Sequence, residues 1–220
     1  MSEGAPAPGC CGGAADAPLN PRGAADAPRG HRSVADASLC IVIPTLDEER
    51  ALPDLLARLS DASLDAADRA DRVVVADGGS RDRTRELARA AGACVVEAER
   101  GRGAQLHAGA QACSDAELLL FLHADTIPGP GALAHVRRAF ADGSLEVTAM
   151  RQRISARGRI YRAIESAADA RARRFGLVWG DSGLGIRRAT YERIGGFAPL
   201  PLFEDVELSL RLRRARVRVR

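Results

Sequence analysis

The stretch LCIVIPTLDEERALPDLLARLSD, residues 39–61, decides the fold, because its hydrophobic period changes halfway along. Its first five residues form an unbroken apolar run, which is typical of a strand buried on both faces of a parallel sheet. Its second half places Leu52, Leu55, Leu56 and Leu59 along one side of a helix. The stretch therefore predicts a strand that leads directly into a helix packed on the sheet.

The same alternation continues as far as Thr126. Strands are predicted in DRVVVADGGS, CVVEAE and AELLLFLHADT, and helices in SRDRTRELARAAGA and GRGAQLHAGAQAC. Strand–helix units of about 30 residues predict an α/β fold with a Rossmann-like, mostly parallel sheet flanked by helices.

The regularity fades after Pro128, where we expect a smaller C-terminal portion. The sequence predicts a helix at 131–143, a partly helical Arg-rich segment without a clear strand at 143–175, a strand, turn and helix at 176–197, a helix at 203–215 and a short final strand in RVRVR.

Residues 1–38 differ from the rest of the chain because they are rich in Ala, Gly and Pro and have almost no large apolar side chain. Such a composition cannot bury enough surface to offset the entropy of ordering, so we predict a disordered tail. Residues 39–220 then form one domain that is short at its C-terminal end.

Composition excludes several classes of protein. All 32 basic residues are arginine, so a Walker loop, which needs lysine, is absent. Aromatic residues make up 4% of the chain, which argues against a base-stacking nucleic-acid surface. No apolar run approaches the roughly 18 residues of a membrane span. Cys40, Cys94 and Cys113 fall in apolar segments and are interpreted as free, buried thiols of a cytoplasmic protein.

Polar side chains follow three of the predicted strands. Thr45 and Glu48 follow the first strand, Asp77 the second, and His123 and Asp125 the fourth. The carboxyl ends of parallel strands share one edge of a sheet, where ligands bind in open α/β folds. Each acid alone could be a helix or turn cap, but three acidic strand ends together favour a ligand site.

The first loop, PTLDEE, lacks the glycines of a dinucleotide-binding fingerprint and carries much negative charge. A nucleotide bound here would need a metal on its phosphates, while its base or ribose could use the carboxylates.

Six ordered blocks together resemble the family 2 glycosyltransferases, over roughly residues 39–216. More narrowly, they resemble a bacterial subgroup associated with radical-SAM/selenium-domain genes. The blocks are IVIPTLDEE, VVVADGGSRDRT, ERGRGAQLHAGA, LLFLHADT, GDSGLGIRR with IGGF, and PLFEDVELSLRLRR.

The resemblance implies a GT-A fold and a donor site for a nucleotide-diphosphate sugar. It assigns donor binding to five positions, which are Thr45, Glu48, Asp77, Gly79 and Arg102. Replacement of Asp77 by alanine is expected to abolish nucleotide binding and leave the fold intact.

His123-Ala124-Asp125 matches the family's D-x-D, which carries Mn²⁺ or Mg²⁺. His123 departs from that pattern, and it either ligates the cation or hydrogen-bonds the donor. Asp205 matches the general base, with Glu204 beside it, and Asp181 lies where the acceptor pocket is usually built.

These roles imply an inverting transfer of a sugar to an unknown acceptor hydroxyl, with a small-molecule or lipid-linked acceptor and no nucleic-acid partner. The alternative is a module that binds a nucleotide sugar without turnover. The six arginines among the last ten residues could contact anionic lipid, but a solvated helix face followed by a strand is the preferred interpretation.

Overall fold

The computed structural model describes residues 37–219, apart from 142, 152, 155, 157, 176–182 and 218. Within these residues the chain forms strands β1 (Leu39–Thr45), β2 (Arg72–Asp77), β3 (Cys94–Glu97), β4 (Leu118–Phe121), β5 (Val147–Ala149) and β6 (Leu184–Arg187). The helices are α1 (Leu52–Leu59), α2 (Thr84–Ala90), α3 (Arg102–Ala112), α4 (Ala132–Ala139), α5 (Arg159–Phe175), α6 (Arg188–Arg193) and α7 (Glu204–Arg214).

The six strands form one sheet in the order β3-β2-β1-β4-β6-β5. β1 pairs in parallel with β2 and with β4, and β2 pairs in parallel with β3. β6 is antiparallel to both of its neighbours. The predicted fold class is therefore confirmed: a mostly parallel α/β sheet flanked by helices. The chain crosses from one side of β1 to the other, which makes the carboxyl ends of β1 and β4 a topological switch point.

The position of β1 in the sheet explains why its sequence is apolar without interruption. Ile41 and Ile43 point to one face and pack with the leucines of α1, whereas Val42 points to the other face and packs with residues of α3 and α7. A sheet covered on both faces leaves no room for polar alternation. Each fully buried aliphatic side chain contributes roughly 1.5–3 kcal/mol to folding.

α3 lies unusually close to the sheet because of a glycine. A Cβ on Gly109 would sit 2.4 Å from Cγ1 of Val42. The first turn of α3 is thereby held at the carboxyl edge of the sheet, beside the ends of β1 and β2.

Three predictions about local structure need correction. β4 ends at Phe121 rather than continuing to Thr126, so His123 and Asp125 are not strand residues. The Arg-rich segment contains the three-residue strand β5, which is too short to show a period in the sequence. The predicted tail is two residues too long, because Ala37 is buried and the carbonyl of Ser38 accepts from the backbone of Leu118. Residues 1–36 lie outside the described part of the chain.

Two cysteines are bonded rather than free. The sulfurs of Cys40 and Cys113 are 1.97 Å apart and join β1 to the residue after α3. The interpretation of these two residues as separate small apolar side chains is therefore wrong. Cys94 is half-buried rather than buried.

Among the described residues, every helix is either too short or too polar to cross a lipid bilayer.

Candidate functional site

A cleft of about 440 Å³ opens at the carboxyl edge of the sheet, beside the ends of β1 and β4. We call it the upper cleft. Four of the predicted site residues line it, which are Thr45, Glu48, Arg102 and His123. Pro201, from the segment before α7, also lines the cleft.

The other four predicted residues are not part of this lining. They are Asp77, Gly79, Asp125 and Asp205. Asp77 and Gly79 lie at the end of β2, Asp125 follows His123, and Asp205 lies in the first turn of α7.

Asp77 is buried, with 1% of its surface exposed, and its carboxylate already has several donors. The backbone N–H groups of Gly79 and Ser80 donate to one oxygen over 3.1 and 2.9 Å. The hydroxyls of Thr45 and Ser80 donate to the other. These hydrogen bonds place Asp77 at the centre of a tight turn, which gives the acid at the end of β2 a structural role.

The expectation that Asp77 can be removed without disturbing the fold is therefore revised. A direct contact between Asp77 and a nucleoside stays a prediction. Gly79 has a structural reason of its own, because its φ of 95° lies in the left-handed region that favours glycine.

The loops after β1 and β2 are tied together by side-chain caps. The backbone N–H of Asp47 donates to the hydroxyl of Ser80, and Arg81 N–H donates to the carboxylate of Asp47. The N–H of Glu48 donates to the hydroxyl of Thr84. Asp47 has a φ of 56°, a conformation that Asp and Asn adopt more readily than other side chains. Hydrogen-bond donors thus separate the acids that the sequence brings to this edge.

Glu48 faces the cleft in a region of negative charge. Burial raises the pKa of Glu48 above its usual value, and the charges of Asp125 and Asp82 raise it further. Asp125 therefore lies close enough to Glu48 for their charges to interact, although Asp125 itself is exposed. Two carboxylates in this relation favour a cation or donor between them.

His123 and Asp125 belong to a turn, not to a strand face. The N–H of Thr126 donates to the carbonyl of His123 over 3.0 Å, which closes the turn. His123 lines the cleft, whereas Asp125 is exposed and is not part of the lining.

The chemistry of these residues fits a divalent cation that is held partly by a ligand. In the described part of the chain, no three His, Cys, Asp or Glu side chains converge on one point. Mg²⁺ needs no such group, because it is usually bound through one or two carboxylates together with substrate phosphates and water. Asp125 and Glu48 can supply those carboxylates.

Gln105, which the sequence patterns did not single out, joins the floor of the cleft to α3. Its amide nitrogen donates to the carbonyls of Thr45 and Ala76 over 2.6 and 3.0 Å, and the residue is buried. The signal in the sequence was a polar residue on the otherwise small and apolar side of α3. Gln105 fixes the first turn of this helix against the ends of β1 and β2.

Arg102 and Glu204 connect the two helices that begin near the cleft. Nε of Arg102 lies 3.1 Å from Oε1 of Glu204. Burial raises the pKa of Glu204, the charge of Asp205 adds to the rise, and the Arg102 guanidinium opposes it. Asp205 is half-buried in the first turn of α7, within the helix predicted at 203–215.

Two further residues of the six blocks are His107 and Asp181. His107 is a packing residue, because its Nδ1 lies 3.1 Å from the hydroxyl of Tyr191 and the two rings stack. Asp181, the predicted acceptor-pocket residue, lies outside the described residues.

Comparison with known families gives a match over most of the chain. The model described as "Glycosyl transferase family 2" matches residues 40–193. The narrower likeness to the radical-SAM-associated subgroup is not tested by this match.

Among curated proteins, a 111-residue stretch is 34% identical to the undecaprenyl-phosphate 4-deoxy-4-formamido-L-arabinose transferase of Pseudomonas aeruginosa strain LESB58. The stretch covers 47% of this chain and 32% of that relative. The match therefore spans about a third of the length of the curated relatives.

Among solved structures, the chain is similar to glucosyl-3-phosphoglycerate synthase from Mycobacterium tuberculosis. A complex with Mn²⁺, UDP and phosphoglyceric acid gives a TM-score of 0.62 at 22% identity, covering 83% of this chain and 66% of that one. A complex of the same synthase with Mg²⁺ and UDP gives a TM-score of 0.61 at 21% identity, covering 83% of this chain and 67% of that one. At this identity the likeness shows the fold, which is that of GT-A glycosyltransferases.

Proposed function

The chain belongs to glycosyl transferase family 2, and from that premise we propose that it transfers a sugar from a nucleotide-diphosphate donor to an acceptor hydroxyl. The observation that carries the proposal is the convergence of Glu48, Arg102 and His123 around one cleft at the switch point of the sheet. The narrower subgroup likeness remains a prediction within this proposal.

The upper cleft has suitable groups for a nucleoside diphosphate. Thr45 and Glu48 offer oxygen acceptors to a base or ribose, and Asp77 and Gly79 shape the turn beneath them. Arg102 offers a planar set of N–H donors, which suits phosphate oxygens. Arg102 is also the first residue of α3, where the helix N-terminus favours negative charge.

A divalent cation, Mn²⁺ or Mg²⁺, would be held by Asp125, with His123 and Glu48 close by. When bound, such a cation neutralises charge that develops on a departing diphosphate. His123 can ligate Mn²⁺ more readily than Mg²⁺, because imidazole suits the softer ion. The complexes of the mycobacterial synthase with Mn²⁺ or Mg²⁺ and UDP support cation use within this fold.

Asp205 is our candidate for the general base of an inverting transfer. The acceptor hydroxyl oxygen attacks the anomeric carbon, its proton passes to the Asp205 carboxylate, and the bond from that carbon to the diphosphate oxygen breaks. The nucleoside diphosphate leaves with the electron pair of that bond. No protein nucleophile is needed.

The acceptor is proposed only as a class, a small molecule or a lipid-linked compound that carries a free hydroxyl. The curated relative acts on undecaprenyl phosphate by its name, which supports the lipid-linked option. Leu202 and Phe203 are 58% and 64% exposed beside Pro201, so the rim of the cleft offers apolar surface to such an acceptor. Contact with a membrane surface and a cytoplasmic site of action belong to this proposal.

A binding module without turnover is the second candidate. It is favoured by one observation, the histidine at the first position of the D-x-D match, which leaves Asp125 as the main anionic ligand.

A thermal-unfolding panel tests the proposal. UDP-, GDP-, CDP- and dTDP-sugars are each added with Mn²⁺ or with EDTA. One donor class is expected to stabilise the protein by about 2.7 kcal/mol at a hundredfold excess over its dissociation constant. No stabilisation by any donor would contradict both candidates, and equal stabilisation in EDTA would contradict the role of the cation. Release of free nucleoside diphosphate over time then separates the enzyme from the binding module.

A further inference from the structure

Glu204 is a fully buried carboxylate whose stabilising partners are its own backbone N–H and the Arg102 guanidinium. It is the first residue of α7, and its surface is 0% exposed. Within the described part of the chain, neither carboxylate oxygen meets the geometry of a hydrogen bond. A buried acid in this state costs stability, so its presence needs another explanation.

The ion pair with Arg102 is the interaction that defines its surroundings. Nε of Arg102 approaches Oε1 of Glu204 to 3.1 Å, while the Arg102 side chain remains 39% exposed and lines the upper cleft. The contact therefore lies on the Nε side of the guanidinium. The terminal nitrogens of the same planar group can donate to an anion in the cleft.

The backbone around this pair is held in one arrangement. The N–H of Gly103 donates to the carbonyl of Leu200 over 3.0 Å. A Cβ on Gly103 would lie 2.0 Å from the carbonyl oxygen of Ala198, so only glycine permits this approach. The segment before α7 is thus fixed against the first turn of α3, and the first residues of the two helices face each other.

We propose that Glu204 is a positioning residue, which orients the Arg102 guanidinium so that its terminal nitrogens receive the diphosphate of the donor. Because Glu204 directly precedes Asp205, the Arg102–Glu204 ion pair also connects the proposed diphosphate site to the helix turn that carries the proposed base. This inference rests on the proposed function, since it takes a nucleoside diphosphate as the ligand of the upper cleft.

Replacement of Glu204 by glutamine tests the inference, since it keeps the shape and removes the charge. The probe is whichever of UDP, GDP, CDP and dTDP stabilises the wild-type protein most in the presence of Mn²⁺. We expect the Glu204→Gln variant to bind that nucleotide about tenfold more weakly in calorimetry, the size of one charge-assisted hydrogen bond. Its folded state, measured by thermal unfolding without ligand, should be at least as stable as that of the wild type.

Glu207→Gln is the matched control. Glu207 lies one turn further along α7 and pairs with Arg211 at 2.6 Å, outside the lining of the cleft. This variant should bind the nucleotide with wild-type affinity.

A double-mutant cycle shows whether Glu204 acts through Arg102. In an Arg102→Gln background, Glu204→Gln should cause no further loss of affinity. Because Arg102→Gln leaves the buried Glu204 without its cation, the folding of each variant is first verified by thermal unfolding. An equal loss with and without Arg102, or an unchanged affinity of the Glu204→Gln variant, would overturn the inference and leave the proposed function standing. Failure of the wild type to bind any of the four nucleotides would overturn both.

Discussion

Two clefts of similar volume lie at opposite edges of the sheet, and only one has the chemistry of a site. The upper cleft, of about 440 Å³, lies at the carboxyl ends of the strands. The lower cleft, of about 480 Å³, lies at the amino ends of β2 and β3, against the last residues of α1 and α2. Its lining is mostly aliphatic and includes Leu56, Leu59, Val73 and Ala93.

The charges of the two clefts differ more than their sizes. In the lower cleft Arg72 pairs with Asp115, and Asp71 pairs with Arg137, just as Arg102 of the upper cleft pairs with Glu204. In the upper cleft an acid, an arginine and a histidine face one space beside the N-terminus of α3. Volume therefore does not identify the site, whereas converging charge at a topological switch point does.

The largest difference between the two edges is expected at Asp77, below the upper cleft. Asp77→Ala removes the acceptor of four hydrogen bonds in a buried turn, so we expect a loss of at least about 3 kcal/mol in the free energy of unfolding. Urea unfolding measures this loss. Asp115→Ala, an exposed partner of the lower cleft, should change stability by less than about 0.5 kcal/mol. Equal losses in the free energy of unfolding for the two substitutions would contradict the structural role of Asp77.

A second large effect is expected on turnover rather than on folding. Asp205→Asn should lower the rate of sugar transfer by roughly 100-fold or more, because an amide cannot take the acceptor proton. Nucleotide affinity and thermal stability should stay close to wild type. The measurement is the release of nucleoside diphosphate with a working acceptor. A near-normal rate of nucleoside diphosphate release would show that another residue is the general base.

A smaller effect is expected at Gly103, where the first turn of α3 contacts the segment before α7. Gly103→Ala places a methyl group against the carbonyl of Ala198, so we expect a loss of about 1–3 kcal/mol in the free energy of unfolding. Gly129→Ala is the control, because a Cβ there meets nothing within 4 Å. Indistinguishable unfolding curves for the two variants would show that the segment before α7 is not held as described.

The smallest effect concerns pH and Glu204. Its pKa is raised in the folded state above the ordinary value of 4.5, so the unfolded chain loses this proton first as pH rises. Stability of the wild type should therefore fall relative to that of Glu204→Gln as pH rises above 4.5, until Glu204 is ionised in both states. Urea unfolding of both proteins at several pH values measures the difference. A constant difference across pH would contradict the raised pKa.

The sequence predicted the parts of this molecule that depend on local patterns. β1 and α1 follow from a continuous apolar run and a leucine stripe. β5 could not be predicted, because three residues cannot show a period. The end of β4 was misplaced, because Leu122 continues the apolar run past the last paired residue of the strand.

The candidate site was predicted in its residue types but not in its connections. Four of the expected residues line the upper cleft, because the carboxyl ends of parallel strands meet at one edge. The pairing of Arg102 with Glu204 and the bond between Cys40 and Cys113 join positions far apart in the chain, so no local pattern records them. The hydrogen bonds to the Asp77 carboxylate form because of the turn that follows β2. The presence of an acid in the sequence does not reveal that turn.

Hydrogen exchange with and without nucleotide tests most directly whether the upper cleft is the donor site. The wild-type protein is compared by mass spectrometry with and without Mn²⁺ and the nucleoside diphosphate that stabilises it most. Our proposal predicts slower exchange at residues 45–48, 101–105 and 123–126, and unchanged exchange at 70–73 and 91–94 in the lower cleft. Slower exchange confined to the lower cleft would contradict it.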